Sequence, residues 1–273
     1  MLEKIRYVNH INEKLEFGSG PLYVDSNDLH DFVWTVTSKN DRISGFKKGI
    51  VKKTIPVILK CDLGTGSAWR NRIFEIFEKD VLTQEPGRLF VGDYYLKCYI
   101  TASAKKEYLT SENYMKFNLT VQTDSAQWIK ETMKTFGNNS GSTADYLDFP
   151  YDYPYDFKSE LLSDTILNTG FVASNFRILV YGFSSAPSIY IAGHEYAVDV
   201  EIQTGEYLVI DSSQKTVTLY RTNGEAVNCY GKRNKDSYIF EKIPPGSSQI
   251  LSPDEFINFS VVLLDERSEP KWT

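Results

Sequence analysis

The chain has 273 residues, 41% apolar and 24% charged, a globular balance that excludes wholesale disorder. Its net charge of -6 is unevenly placed: residues 1–130 carry 19 Lys+Arg against 16 Asp+Glu (+3), and residues 131–273 carry 11 against 20 (-9). Neither part is basic enough for a dedicated nucleic-acid binder, and three isolated Cys and three isolated His argue against a disulfide framework, structural zinc or other metal chemistry.

No apolar run approaches the roughly 20 residues of a membrane span, and the N-terminus lacks the apolar region of a secretory signal. Aromatic residues reach 14%, with 18 Tyr, a bias that suits strand-rich binding or assembly proteins better than most enzymes.

Strand patterns come first along the chain. Val51, Ile55, Val57, Leu59 and Cys61 alternate along 51–61, and Pro56, which has no N–H to donate, predicts an edge or bulged strand there. Trp69, Ile73, Ile76 and Phe77 then fall at helical spacing, which predicts a helix over 67–80 with Thr65 or Ser67 as its cap. Tyr94, Leu96, Cys98 and Ile100 alternate with Tyr95, Lys97 and Tyr99. Met115, Phe117, Leu119 and Val121 alternate with Tyr114, Lys116, Asn118 and Thr120. Period-2 text with one polar face is the pattern of half-buried antiparallel strands. With the polar link 102–113 between them, these two runs predict a long hairpin.

Turn-forming residues fill 136–143 and mark a domain boundary, giving domains 1–135 and 136–273. The aromatic–acid–proline text 145–157 reads as an extended strap, since two prolines preclude a regular element. Beyond it, seven short strand candidates follow, near 175–182, 187–192, 195–202, 206–211, 215–222, 237–241 and 256–264. Asn223-Gly224 carries the residues of a two-residue hairpin turn. The second domain is expected to be a β-sandwich of about seven strands.

No catalytic, cofactor or metal constellation emerges. Gly182-Phe-Ser-Ser-Ala186 is one residue from a nucleophile elbow, but Pro187 and another strand follow where a helix is required. Gly64-Thr-Gly66 lacks the third glycine and the lysine of a phosphate loop. Asp145, Asp148, Asp152 and Asp156 have the wrong spacing for a calcium loop.

Two groups are candidates for contact. Lys47, Lys48, Lys52 and Lys53 form a basic cluster, either a patch for an acidic partner or lysines that block edge pairing. Tyr95, Lys97, Tyr99, Tyr114 and Lys116 lie on the polar faces of the hairpin, as a subunit interface or as a second buried layer.

The order of elements resembles the distal tail protein family of siphophages. The likeness is carried by 117–124 running into Trp128, by the strap 149–157, by Gly205-Glu-Tyr-Leu-Val-Ile-Asp-Ser-Ser-Gln-Lys-Thr-Val217, and by Ile243-Pro-Pro-Gly246 before a last apolar strand and Trp272. The chain departs from the family at Asp124-Ser125, where Asp-Pro is usual, and at Ser247, where Asn is common.

The resemblance implies a mainly β protein. The N-terminal β-sandwich, with one α-helix and a long β-hairpin, would form a homohexameric ring hub, and a galectin-like β-sandwich would project from it. It further implies a structural, non-enzymatic virion component at the phage tail tip, made in the bacterial host cytoplasm. Its partners would be other copies of itself, the tail tube protein, a tail-associated tip protein or lysin, and in some phages a receptor-binding protein. DNA would pass through the ring without sequence-specific contact, so the lysines are expected to lie away from the lumen. The alternative is a carbohydrate-binding β-sandwich protein that recognises a host surface glycan. An esterase using Ser184 ranks third.

Overall fold

The computed structural model describes residues 4–107, 113–137, 165–253 and 257–272. The turn-forming residues 138–143, the strap 145–157 with its four aspartates, and the tip of the predicted long hairpin lie outside them. The protein is mainly β, with one α-helix among the described residues. It divides into two compact units: Met1–Lys130 together with Arg267–Thr273, and Glu131–Glu266. No helix is long and apolar enough to cross a membrane.

In the first unit, strands β1 (Ile5–Val8), β2 (Lys14–Phe17) and β3 (Leu22–Val24) precede a hairpin of β4 (Thr35–Lys39) and β5 (Arg42–Lys47). Strand β6 (Val51–Lys60), helix α1 (Gly66–Thr83), β7 (Gly87–Val91), β8 (Tyr94–Glu107) and β9 (Tyr114–Thr123) follow. Strand β10 (Trp128–Phe136) starts in this unit and ends in the second.

Two sheets share one strand. Residues 94–98 of β8 pair with β7, whose other neighbour is β1, while residues 99–107 pair with β9, whose other neighbour is β6. A register shift at Ile100/Ala102 lies just past this change of partner, and a second lies further along at Lys105/Glu107; a bulge bends a strand and increases its twist. The inward residues Leu96, Cys98 and Ile100 meet Leu59, Phe117, Val121 and Trp128 in one buried core. Burial also pushes the Cys98 thiol well above its ordinary pKa, so it stays a neutral core residue.

Strand β6 is not bulged, but the edge expected from Pro56 is met in part: β9 is the one strand beside Val51–Pro56, and only Val57–Leu59 have a strand on both sides. It pairs with β9 along its whole length and with β3 over Val57–Leu59. Pro56 is tolerated because its carbonyl faces the side where β3 ends, and there it accepts the Asp25 N–H at 3.1 Å. The missing N–H therefore falls where the ladder has already stopped.

Helix α1 buries Ile73, Ile76, Phe77 and Asp80, the i, i+3, i+4, i+7 stripe of an amphipathic helix. Trp69 is only partly buried against the same core. Thr65 stands at the N-cap, but its hydroxyl donates to the Asp62 carbonyl at 2.8 Å instead of accepting a helix N–H.

The helix is pinned through Asp80, whose side chain is fully buried. The Tyr7 hydroxyl donates to its Oδ2 at 2.5 Å, the His10 backbone N–H donates to Oδ1 at 2.9 Å, and His10 Nδ1 lies 2.5 Å from Oδ1. Burial drives the Tyr7 phenol far above its usual pKa, which keeps it a donor. Gly87 packs so closely here that a β-carbon would overlap both the Tyr7 ring and the Asp80 carboxylate.

The second unit is a sandwich. One sheet runs β19 (Ala226–Asn228), β18 (Thr216–Tyr220), β17 (Tyr207–Asp211), β12 (Asn175–Tyr181), β21 (Asn258–Arg267). The other runs β11 (Thr165–Asn168), β20 (Gly246–Leu251), β14 (Ser188–Ile191), β15 (His194–Ala197). The short strands β13 (Ser184–Ser185) and β16 (Glu201–Ile202) pair with each other. Phe176, Ile178, Leu208, Val217 and Val261 meet Ile166, Ile189, Tyr196 and Ile250 in its core.

Details depart from the sequence reading. Residues 237–241 are not a strand, while 165–168 and 246–251 are. Asn223-Gly224 does not close a two-residue turn: only Gly224 has positive φ, and the loop is held by Gly224 N–H to Arg221 O and Arg221 N–H to Glu225 O, both 2.9 Å. The Asp211-Ser-Ser-Gln-Lys-Thr text has a definite role. Asp211 Oδ1 accepts N–H bonds from Ser213 and Gln214, and buried Ser212 accepts from the Phe176 N–H at 2.7 Å.

Replacing Asp80 removes the acceptor of three contacts at once. Asp80→Ala is expected to lose at least about 2 kcal/mol in a denaturant melt, because it leaves a buried tyrosine hydroxyl unpaired. A loss below about 0.5 kcal/mol would place it among ordinary surface changes and contradict the pinning role.

Candidate functional site

The hairpin candidates do not converge on one surface. Tyr95 is buried against Val8 and Phe90, its ring 5.5 Å from that of Phe90. Lys97 is exposed. Tyr99 is half-buried, and its hydroxyl donates to the Gln84 carbonyl at 2.7 Å, just past the end of α1. Desolvation, followed by the Asp124 carboxylate, raises its pKa and keeps it a donor. Tyr114 and Lys116 sit on β9 near its start, whereas Tyr99 faces Gln122 near its end. Eight residues of strand separate Tyr114 from Gln122, about 26 Å. Lys116 Nζ lies 5.8 Å above the Tyr114 ring.

The basic cluster also divides. Lys47 and Lys52 are exposed, and Lys48 is half-buried with its Nζ 4.6 Å from the Trp34 ring centre. Lys53 is buried, and its ammonium donates to the carbonyls of Asp28 (2.7 Å) and Asp31 (2.5 Å). Asp28 Oδ1 in turn accepts the Thr54 N–H at 2.8 Å. Burial lowers the Lys53 pKa from its ordinary value, opposed by the nearby Asp28 and Asp31 charges. Lys53 therefore anchors the loop 25–34 and offers no cation to a partner. The signal was present in the sequence, because Lys53 is in phase with Val51, Ile55 and Val57 on the inward face.

The surface that sequence reading missed is the β4–β5 hairpin. Asn40 and Asp41 both have positive φ, 52° and 57°, as a two-residue hairpin turn of the I′ kind requires. Val36 lies opposite Phe46, and Thr37 opposite Gly45. A register shift after Thr37 then leaves Ser44 over and sets Ile43 opposite Ser38. Directly opposed residues share a face, so Trp34, Val36, Ile43 and Phe46 all point one way. Thr35, Thr37, Lys39, Arg42 and Lys47 point the other.

The apolar face is open. Trp34 is 43%, Val36 50%, Phe46 60% and Ile43 63% exposed, with Trp34 and Phe46 edge to face at 6.3 Å. Residues with an Asn-Asp turn between two apolar–polar alternations were the available signal.

A second open feature lies between α1 and the β8–β9 hairpin. A groove of about 530 Å³ is lined by Ile73, Phe74, Phe77, Ile100, Ala102 and Met115, with Arg70, Glu78 and Lys105 among its polar members. Phe74 is 57% exposed at its edge.

The enzyme-like motifs take structural places. Ser184 is 2% exposed, in the short strand that pairs with β16. Gly64 occupies a positive-φ turn ahead of α1. Among the described residues no group of three metal-ligating side chains occurs. In the second unit the half-buried Glu195 carboxylate accepts from Tyr190 (2.9 Å), Ser188 (3.0 Å) and Asn234 (2.9 Å). The Tyr190 hydrogen bond is the largest reason that its pKa is lowered. Nearby, the Tyr230 ring carries the Arg233 guanidinium at 3.9 Å and stacks on Phe240 at 6.0 Å.

No protein-family model matches the chain, and no curated protein matches it. Solved structures do. The Dit (gp 19.1) protein of phage SPP1, described as a paradigm of the hub adsorption apparatus in phages infecting Gram-positive hosts, superposes with a TM-score of 0.54 at 9% identity, covering 98% of this chain and 100% of that one. A chain of the phage P2 baseplate in its activated conformation with Ca gives 0.60 at 12% identity, covering 99% and 100%. A chain of the phage p2 baseplate with Sr gives 0.56 at 12%, covering 96% and 98%. The protein thus has the fold of phage hub and baseplate chains across nearly its full length.

The contrast between two neighbouring lysines is testable. Lys53→Ala is expected to cost about 1.5–3 kcal/mol in a denaturant melt, since charge-assisted bonds to two carbonyls are lost. Lys52→Ala should stay within about 0.5 kcal/mol of the parent. Equal effects would mean that Lys53 does not hold the loop.

Proposed function

We propose that the protein is the hub at the distal end of a siphophage tail, a homohexameric ring joining the tail tube to the tail-tip and adhesion proteins. The observation that carries this reading is the likeness to the SPP1 hub protein over 98% of this chain and all of that one. Both units take part, so the match is not a common sandwich shared by chance. The sequence resemblance, carried by short texts spread along the chain, points to the same family independently of the fold.

In this reading the first unit forms the ring and the second, a galectin-like sandwich, is peripheral. Contacts between unlike patches on neighbouring copies close into a ring when the rotation closes. The role is structural and needs no turnover. The partners are other copies of the chain, the tail tube protein, a tail-associated tip protein or lysin, and a receptor-binding protein on the outside. The protein is made in the host cytoplasm and resides in the virion.

Light scattering on the purified full chain tests the proposal. A mass six times 31.2 kDa, or a multiple of it for stacked rings, is the expected outcome. A monomer at all concentrations, with mass unchanged by tail components but raised by a surface glycan, would favour a carbohydrate-binding protein instead.

A further inference from the structure

Strands β2, β1, β7 and β8 lie side by side, and their inward residues, among them Leu15, Tyr7, Leu89 and Leu96, fill the core of the first unit. The residues between them share the outer face, because side chains alternate along a strand. On that face Arg6 stands opposite Phe90 and Glu16, Val8 opposite Arg88 and Lys14, and Arg88 opposite Lys97. Four cations and one carboxylate thus occupy these positions. Like charges directly opposite on neighbouring strands destabilise a sheet, and Arg88 facing Lys97 is such a pair. Breaks of a local rule concentrate at functional positions.

Neutral groups hold the two arginines. Both are half-buried, with the guanidinium carbon of Arg6 4.3 Å from the centre of the Phe90 ring and that of Arg88 6.0 Å from the same centre. An aromatic face attracts a cation without cancelling its charge. Arg88 Nη2 also donates to Asn12 Oδ1 at 2.8 Å, an uncharged acceptor. Glu16, opposite Arg6 in register, accepts the Ser19 hydroxyl at 2.8 Å instead. Among the described residues no carboxylate forms an ion pair with Arg6, Arg88 or Lys97. Arg6 Nε is buried and donates to no acceptor there. A buried N–H without a partner is costly, and a bound ion is one of the few things that offset the cost.

We propose that Arg6, Arg88 and Lys97 form a binding site for a ligand that carries two or more successive phosphate groups. Three cations exceed what one carboxylate neutralises, whereas a diphosphate supplies a matching charge. The guanidinium fork pairs with phosphate oxygens through two parallel N–H bonds, and the exposed Lys97 ammonium adds a rotatable third donor. The arginines are already anchored on one ring, so little side-chain freedom is lost on binding. A phosphate bound there also offsets the opposition of Arg88 and Lys97 across the sheet. A free diphosphate and a nucleic-acid backbone share this chemistry. The site lies wholly within the first unit and does not depend on the ring reading.

Calorimetric titration of the full chain at low salt tests the site, with pyrophosphate and a short oligothymidylate as probes. At least one probe is expected to bind. Arg88→Gln and Lys97→Gln should each weaken that binding about tenfold or more, the order lost with a charge-assisted hydrogen bond. Lys52→Gln, an exposed cation on β6, should leave it unchanged. Binding of pyrophosphate shows that a free diphosphate suffices, and binding of the oligothymidylate alone assigns the site to a nucleic-acid backbone. Lys97→Glu should raise the thermal midpoint at low salt, since it turns a like-charge pair into an opposite one. It should also abolish the rise that the bound probe gives the parent chain.

Binding of neither probe overturns the proposal. A polyglutamate peptide that binds where both phosphate probes fail overturns it in favour of an acidic protein surface. Binding that survives Arg88→Gln and Lys97→Gln places the phosphate elsewhere and also overturns it. So does a midpoint rise that sodium chloride reproduces at equal ionic strength, because screening without a site then accounts for the effect.

Discussion

Strand β8 belongs to two sheets, and the architecture of the first unit depends on that. Its first five residues are hydrogen-bonded to β7 and the rest to β9, with a register shift at Ile100/Ala102 just past the change of partner. A strand that turns a corner in this way folds one sheet over the other, and the inward residues from both then meet in one core. Helix α1 covers the same strand, held there by Ile73 and Phe77 and by the Asp80 carboxylate. The groove between helix and hairpin is a consequence of this arrangement, because the helix lies over the region where β8 leaves one sheet for the other.

Among the described residues, several buried polar side chains fix loops. Asp80 ties the helix to β1 and to the turn after it. Lys53 ties the loop 25–34 to β6. In the second unit, buried Asn168 donates to the Ile243, Pro244 and Val172 carbonyls and accepts from the Gly170 N–H and the Ser174 hydroxyl. Each group is close to fully satisfied, as a buried polar side chain must be to avoid a desolvation cost. Such sites hold a shape.

The apolar β4–β5 hairpin is the exception to this economy. Its sequence breaks no local rule: an Asn-Asp turn joins two strands of alternating character. What it lacks is a core of its own.

Much was legible in the sequence. The period-2 runs at 94–100 and 114–122 and the 3.6-period stripe at 69–77 gave the long hairpin strands and the helix, because side-chain periodicity depends only on local backbone geometry. The second unit's sandwich followed from repeated short alternations and turns.

Other features depended on position in space. Whether Pro56 marks an edge was decided by where β3 happens to end, and whether Lys53 is a surface cation was decided by two carbonyls over twenty residues away. Tyr95 and Tyr114 look alike in the alternation, yet one is buried by Phe90 and the other is half-exposed at the opposite end of the partner strand. The sequence by itself determined which residues alternate and how often. Only the tertiary structure decided which of two alternating faces had something to pack against, because burial depends on segments far away along the chain.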